Sequence, residues 1–393
     1  MDNDVVIVGG SRTAIGSLNG SLSGLSASHL GGLVIDESMK RASVNPGEVT
    51  DVIMGQIVTA GCGQNPARQA AVSAKIPFEK TATSINQVCG SGLKAVAMGY
   101  QSILTSDSNI VVAGGQESMS QAPHCIHLRS GKKMGDAEMV DTMIYDALWD
   151  VFNDYHMGVT AENIATKWQI TRQEQDDFAA SSQFKASNAQ KDGRFDDEIV
   201  RVVISEKNGS KVFDKDEYIR ANTTVEKLSK LSPAFDKEGT VTAGNSAGIN
   251  DGAASVILMR KNDAVKRGIK TLFRIVAWAQ VGVDPKIMGT GPIPSVKLAL
   301  KKAGWKIDEV DLVECNEAFA VQTLSVIKEL GLPMDKVNSN GGAIALGHPV
   351  GASGARILVT LMHEMQRRKL HKGIVTLCMG GGMGIALCVE QDN

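Results

Sequence analysis

The sequence predicts an α/β protein built from two similar halves with a large insertion between them. Three observations carry this reading. Short apolar strands alternate with helical patterns at both ends of the chain. The strand-like runs lack polar alternation, as in sheets buried on both faces. The elements near the N-terminus then recur, in order, near the C-terminus.

The strand runs are Asp4–Gly9, Val52–Met54, Thr83–Val88 and Asn109–Ala113, then Leu272–Trp278, Asp311–Cys315, Lys336–Asn340 and Gly373–Cys378. Glu48 and Glu309 each lead into a strand, 261 positions apart. Ser91-Gly92 and Ser353-Gly354 each open a helix, 262 apart, and the strands at Ile110 and Ile374 are 264 apart. A nearly constant offset over ordered elements marks an internal duplication. Residues 1–119 with 245–270 form the first half, and 271–393 the second. The intervening 120–244 holds most of the charge runs and the amphipathic pattern Ile170–Gly193, opened by a Thr171/Glu174 capping box. Arg129, Lys132, Lys133, Arg220 and Lys227 form a dispersed basic set there, suited to a lid or ligand-binding insertion.

At 393 residues the chain is too long for one small core. Aromatic content of 4% beside 41 glycines suits tight turns and closely packed helices. A net charge of -2 gives no reason to expect nucleic acid as the partner, and leaves room for a phosphorylated small ligand. The six cysteines (Cys62, Cys89, Cys125, Cys315, Cys378, Cys388) include no C-x-x-C pair, which argues against a zinc ribbon and a thioredoxin-like motif. Thiols this sparse are expected to be reduced, with no disulfide framework and no metal site. No apolar stretch reaches membrane-spanning length. Met1-Asp2-Asn3 runs directly into a strand without a leader pattern, and Gln391-Asp392-Asn393 is not a peroxisomal address. The expectation is a cytoplasmic protein.

Cys89 ends a strand-like run and is followed by Gly90-Ser91-Gly92 and a helix-like run to Leu104. Near a helix N-terminus, free N–H groups and the dipole favour a thiolate, and the glycines let a substrate carbonyl approach. The alternative is a buried structural cysteine in a tight turn. The second-half element matching the Cys89 turn carries His348, in Gly347-His348-Pro349. If the halves pack about a pseudo-two-fold axis, these loops meet, and a Cys–His pair is a nucleophile with its base. Cys378 ends a second-half strand before Met379-Gly380-Gly381-Gly382, and is a second thiol suited to proton transfer. Without Gly-Lys-Ser/Thr, that glycine run reads as close-approach backbone with N–H donors for an oxyanion rather than as a phosphate cradle. Asn316 closes the strand Asp311–Cys315, placed to hold a water or a carbonyl.

Together, Cys89-Gly90-Ser91-Gly92, Asn316-Glu317-Ala318-Phe319, Gly347-His348-Pro349 and Cys378-Met379-Gly380-Gly381-Gly382 resemble the thiolase family. The resemblance covers essentially the whole chain, including Gly63–Arg68 and Gly114–Ser120. Tyr155-His156-Met157-Gly158 looks like the family's short-chain, biosynthetic branch. The resemblance implies a layered αβαβα core and reversible condensation of two acetyl-CoA to acetoacetyl-CoA and coenzyme A. Cys89 would carry the acyl group and His348 would take its proton. Cys378 would deprotonate the second acetyl-CoA. One oxyanion hole would use His348 and a water on Asn316, the other the N–H groups of Cys89 and Gly380. His156 and Met157 would line the acyl pocket, with Arg220, Met288, Ala318 and Phe319 facing coenzyme A. No metal or permanently bound cofactor is implied; a homo-oligomer, dimer or tetramer, is. The chain departs from the family at Ala243-Gly244-Asn245-Ser246-Ala247-Gly248, where Ser and Ala are exchanged relative to the usual order. In the family that serine touches the pantetheine arm, so weaker coenzyme A binding is expected. The rival readings are a degradative 3-ketoacyl-CoA thiolase of broad chain length and a catalytically silent thiolase-like binding protein. A decarboxylating ketoacyl synthase is disfavoured by Cys378, where that pattern has a second histidine.

Overall fold

The computed structural model describes residues 4–207 and 209–392. Met1, Asp2 and Asn3, and Asn393, on which part of the targeting expectation falls, lie outside the described residues. The principal strands are β1 (Val5–Thr13), β2 (Asp51–Gly55), β3 (Thr81–Ile85), β4 (Ile110–Ser118), β5 (Asn250–Arg260), β6 (Phe273–Gly282), β7 (Leu312–Cys315), β8 (Lys372–Met379) and β9 (Met383–Gln391). The helices that frame the site are α1 (Ala27–Arg41), α2 (Pro66–Ser73), α3 (Ser91–Leu104), α4 (Met157–Trp168), α5 (Arg172–Lys191), α6 (Pro292–Ala303), α7 (Ala320–Leu330), α8 (Ala343–Leu346) and α9 (Ser353–Arg368).

The strand order is β7-β8-β9-β6-β1-β5-β4-β2-β3. From the outside inward, the first half pairs β3 with β2 and β2 with β4 in parallel, then β4 with β5 and β5 with β1 antiparallel. The second half pairs β7 with β8 in parallel, then β8 with β9 and β9 with β6 antiparallel. The halves meet at β1 and β6, joined antiparallel at Val6↔Arg274 and Ile7↔Phe273. Apart from the outer strand β3, the pairing is therefore the same on both sides of a central seam, as a duplication requires.

The layers follow from the two-residue period of a strand. Val5 and Ile7 join the core of α3 and α9, while Val6 and Val8 join that of α1 and α2. In the second half Val375 and Leu377 face α3 and α9, whereas Ile374 packs in the cluster with α6 and α7. The five layers are α1/α2, the first-half sheet, α3/α9, the second-half sheet and α6/α7, the expected αβαβα core. The two central helices touch at glycine. A β-carbon at Gly92 would lie 2.8 Å from the Ala355 nitrogen, and one at Gly354 would lie 2.4 Å from the Leu93 nitrogen.

Several sequence expectations are corrected. Lys336–Asn340 is not a strand; only Val337 pairs, in a single parallel bridge to Val313. That bridge occupies the place β3 holds in the first half, but Asn338 (φ 47°) and Gly341 (φ 77°) end any extended run. The run Thr83–Val88 stops at Ile85, and the chain turns at Val88, which sits at φ 48°. Strands β5 and β9 lie outside the predicted runs altogether. The capping box at α5 is present, with Glu174 accepting the Thr171 N–H at 2.6 Å and Thr171 Oγ1 accepting the Glu174 N–H at 3.2 Å. Residues 120–244 contain α4, α5 and an antiparallel hairpin, Val202–Glu206 with Gly209–Phe213. No helix among the described residues is long and apolar enough to cross a membrane.

Candidate active site

The turn before α3 is built by backbone strain and one hydroxyl. Val88 sits at φ 48°, a left-handed conformation that a β-branched residue adopts at a cost of about 1–3 kcal/mol. Ser91 Oγ accepts the Gln87 N–H at 2.8 Å and donates to the Val88 carbonyl at 2.7 Å, which locks the turn. Gly90 is the helix cap, and a β-carbon there would collide with Met379 Sδ at 2.1 Å. The first-half turn thus docks directly on the end of β8. The result is a buried Cys89 one residue before the helix cap.

Burial pushes the Cys89 thiol up to about 11, although the N–H groups of Gly380 and Cys89 itself point at the sulfur and favour the thiolate. The expectation of a resting thiolate is therefore corrected: loss of solvent outweighs the N–H donors of the turn. Cys378 lies at the end of β8, fully buried, and its thiol is pushed up by burial and then by the neighbouring Cys89 and Cys315 sulfurs. The two predicted thiols are thus close enough for their charges to oppose one another, as are Cys378 and Cys315.

His348 is held from three sides. Its N–H donates to Asn250 Oδ1 at 2.9 Å, its Nδ1 is 2.5 Å from Ser353 Oγ, and its Nε2 is 3.4 Å from Asn316 Nδ2. Ser353 has one hydroxyl proton, and it is donated to the Pro349 carbonyl at 2.9 Å. His348 Nδ1 must then be the donor to Ser353, which leaves Nε2 as the lone-pair nitrogen. Burial, followed by the positive charge of Arg356, lowers the imidazole to about 3. The resting pair is a neutral thiol and a neutral imidazole whose lone-pair nitrogen, Nε2, faces only the Asn316 amide at 3.4 Å. Asn316 Oδ1 is buried and has no hydrogen-bond partner among the described residues, so it is an available acceptor beside His348.

One cavity of about 620 Å³ unites the predicted residues. Cys89, His348, Gly380, His156, Met157, Arg220, Ser246, Ala247, Met288, Ala318 and Phe319 all line it. Asn316 and Cys378 do not line it; they are buried beside its floor, against His348 and Cys89 respectively. A β-carbon at Gly380 would lie 3.8 Å from Met157 Sδ, so Met157 closes the space next to the Gly380 N–H. The glycine run itself makes the β8–β9 reversal, with Gly381 and Gly382 at φ 80° and 84°. His156 caps α4, its Nδ1 accepting the Gly158 N–H at 3.0 Å, and burial lowers its imidazole. Ser246 Oγ donates to the Thr242 carbonyl at 2.7 Å, so its proton is committed within the loop, and Ala247 faces the cavity with a methyl group. Of the dispersed basic set only Arg220 lines the cavity; Arg129, Lys132, Lys133 and Lys227 are exposed elsewhere on the insertion.

Sequence reasoning missed the residues that hold the site. Phe235 stacks on His156 at 4.7 Å and meets Phe319 edge-on at 6.1 Å. Glu117 accepts N–H groups from Ile57, Val58 and Gly351, tying β4 to the His348 loop. Burial pushes its carboxyl up to about 8.

The chain matches the thiolase N-terminal domain over residues 5–262 and the thiolase C-terminal domain over residues 269–391. It belongs to the thiolase family. It is 59% identical over 387 residues to the acetyl-CoA acetyltransferase of Rhizobium meliloti (strain 1021), covering 98% of each chain. The crystal structure of the Bacillus anthracis acetyl-CoA acetyltransferase superposes with a TM-score of 0.97 at 44% identity, covering 99% of each chain. Human mitochondrial 3-ketoacyl-CoA thiolase superposes equally well, at TM-score 0.97 and 40% identity over 99% of each chain.

Proposed function

We infer that this chain is an acetyl-CoA C-acetyltransferase, catalysing the reversible Claisen condensation of two acetyl-CoA to acetoacetyl-CoA and coenzyme A. The observation that carries the mechanism is the convergence of Cys89 from one half with His348 and Gly380 from the other on one cavity narrowed by Met157. Cys89 Sγ attacks the thioester carbonyl as His348 Nε2 takes the thiol proton. Coenzyme A leaves as the thiol, taking the Cys378 proton, and Cys89 carries the acetyl group. Cys378, left as the thiolate, then removes a methyl proton from a second acetyl-CoA. The resulting carbanion attacks the acyl carbonyl, whose oxyanion is met by the N–H groups of Cys89 and Gly380, and Cys89 leaves as the thiol, taking its proton back from His348. His348 and a water on Asn316 stabilise the enolate oxygen of the second acetyl-CoA. A resting neutral thiol suits a site where the proton moves only as the bond forms.

Arg220, Ser246, Ala247, Met288, Ala318 and Phe319 bind the coenzyme A arm, and His156 and Met157 limit the acyl chain. Thiolysis of acetoacetyl-CoA, 3-ketohexanoyl-CoA and 3-ketodecanoyl-CoA tests this. The rate is expected to fall steeply after the four-carbon substrate; a flat or rising profile would move the chain to the broad-range degradative class. The same reading needs no metal or permanently bound cofactor and takes the chain to be a cytoplasmic homotetramer acting in lipid metabolism. Association is supported by the solvent-facing edge strand β3 and by Met134, Met139 and Phe152, exposed at 88%, 65% and 71%. Sedimentation would separate monomer, dimer and tetramer, and cell fractionation tests the location.

A further inference from the structure

The second half buries an ion pair that the reaction steps above do not use. Arg356 on α9 and Glu314 on β7 are each 1% exposed. Arg356 Nη1 lies 3.9 Å from Glu314 Oε2, beyond hydrogen-bond reach. None of the three guanidinium nitrogens has a hydrogen-bond partner among the described residues, and neither does Glu314 Oε1. The contrast with Arg12 is sharp. That residue is equally buried, yet it donates to Glu198 at 2.6 Å and to both oxygens of Asp216 at 2.8 and 2.9 Å. A buried, under-bonded guanidinium is expensive, and apolar side chains of similar volume pack at lower cost. A pair of this kind is a poor stabiliser, so its charge has another use.

Its place in the fold supplies one. Arg356 follows Ser353 by three residues, one helical turn, and Ser353 holds His348 Nδ1. Glu314 precedes Asn316 by two residues along β7, and Asn316 meets His348 Nε2. The pair therefore spans the two elements that grip the imidazole. After burial, Arg356 is the group that most disfavours a charged His348. The other charged and titratable groups nearby are the Cys89 thiol across the cavity, Glu117 bonded to the Gly351 N–H, Glu198, Asp216 and Arg12 around Arg356, and Glu317, Glu198 and Glu364 around Glu314. Burial pushes the Glu314 carboxyl itself up to about 8.

We propose that Arg356, paired with Glu314, is a positioning residue for His348: the pair sets the spacing of α9 and β7 around the imidazole, and the fixed charge of Arg356 adds to burial in opposing a second proton on the ring. The proposal rests on His348 being the base that receives the Cys89 proton. The test is a pH titration of histidine ring signals in isotope-labelled full-length protein, with the His348 signal identified by its loss in His348→Asn, read beside the pH profile of kcat/KM for thiolysis. In Arg356→Met, His348 is expected to take its proton at a pH about one unit higher. The acid limb of kcat/KM should follow it, with KM nearly unchanged. Arg356→Lys keeps the charge and should restore the wild-type limb. The double variant Arg356→Met with Glu314→Leu removes both charges, keeps an apolar core, and should show the same displaced limb. An unmoved His348 signal in a folded Arg356→Met or double variant overturns the proposal. A moved signal without a moved limb would leave the electrostatic effect standing and instead count against His348 as the base.

Discussion

The two halves share one strand pairing and differ in the loop that leads to the central helix. In the first half residues 86–90 join β3 to α3 in a tight turn, and the strain at Val88 presents a thiol. In the second half residues 338–352 do the same task at greater length, through α8 and a loop tied down by Asn250, Ser353 and Glu117. The short loop places its group by backbone geometry, and the long loop by hydrogen bonds to distant strands. Duplication therefore explains why the two loops meet, while their inequality explains why one carries a nucleophile and the other a base.

The sharpest way to break this division of roles is His348→Asn. It should lower kcat for thiolysis by about 10²- to 10⁴-fold, the range of general acid–base catalysis, with a smaller change in KM. Steady-state kinetics checks it, and a loss under tenfold would assign the base elsewhere. The same residue governs acid sensitivity. His348 has a folded-state value of about 3 against an ordinary 6.5, so below pH 6.5 the unfolded chain binds a proton that the folded chain does not. Its contribution to stability is complete above pH 6.5 and is lost progressively as the pH falls toward 3. Denaturant unfolding across that window should show a flatter pH dependence for His348→Asn than for the wild type.

The contact between the halves is tested by Gly92→Ala. The new methyl would lie 2.8 Å from the Ala355 nitrogen and 3.0 Å from the Gly351 carbonyl oxygen, backbone atoms that move only with their helix and loop. A loss of about 1–3 kcal/mol is expected in chemical denaturation. The matching change at the exposed Gly47, where a β-carbon meets nothing within 4 Å, should cost less. The smallest effect lies at the cavity wall. Ala247→Ser offers a hydroxyl that Ser246, bonded to Thr242, does not free. The KM for coenzyme A should fall about threefold to tenfold, the scale of one neutral hydrogen bond. Unchanged KM values for both substrates would make the Ser246-Ala247 exchange silent.

Much of this was legible in the sequence because the informative features are local. Buried strands are apolar runs, and Cys89, Asn316, His348 and Cys378 each sit where an element ends. What escaped notice was non-local or disguised. Strand β5 opens with Asn250-Asp251-Gly252 and β9 follows a glycine run, so both starts read as loop although each strand pairs on two sides. Lys336–Asn340 has strand-like spacing, but the left-handed Asn338 ends it after Val337. Asn250 and Glu117 reach the His348 loop across 98 and 234 residues of chain, beyond any pattern along the sequence. The charge state of Cys89 is non-local for a related reason. Helix position is readable in a sequence, whereas burial at a turn docked on Met379 and facing the Gly380 N–H comes from the other half.

The most direct measurement is acid-quenched peptide mass spectrometry after incubation with acetyl-CoA alone. The account predicts a single acetyl group on the peptide containing Cys89, lost when coenzyme A is added before the quench. Acetylation of Cys378 instead, or binding of acetyl-CoA with no covalent label on either thiol, would contradict it.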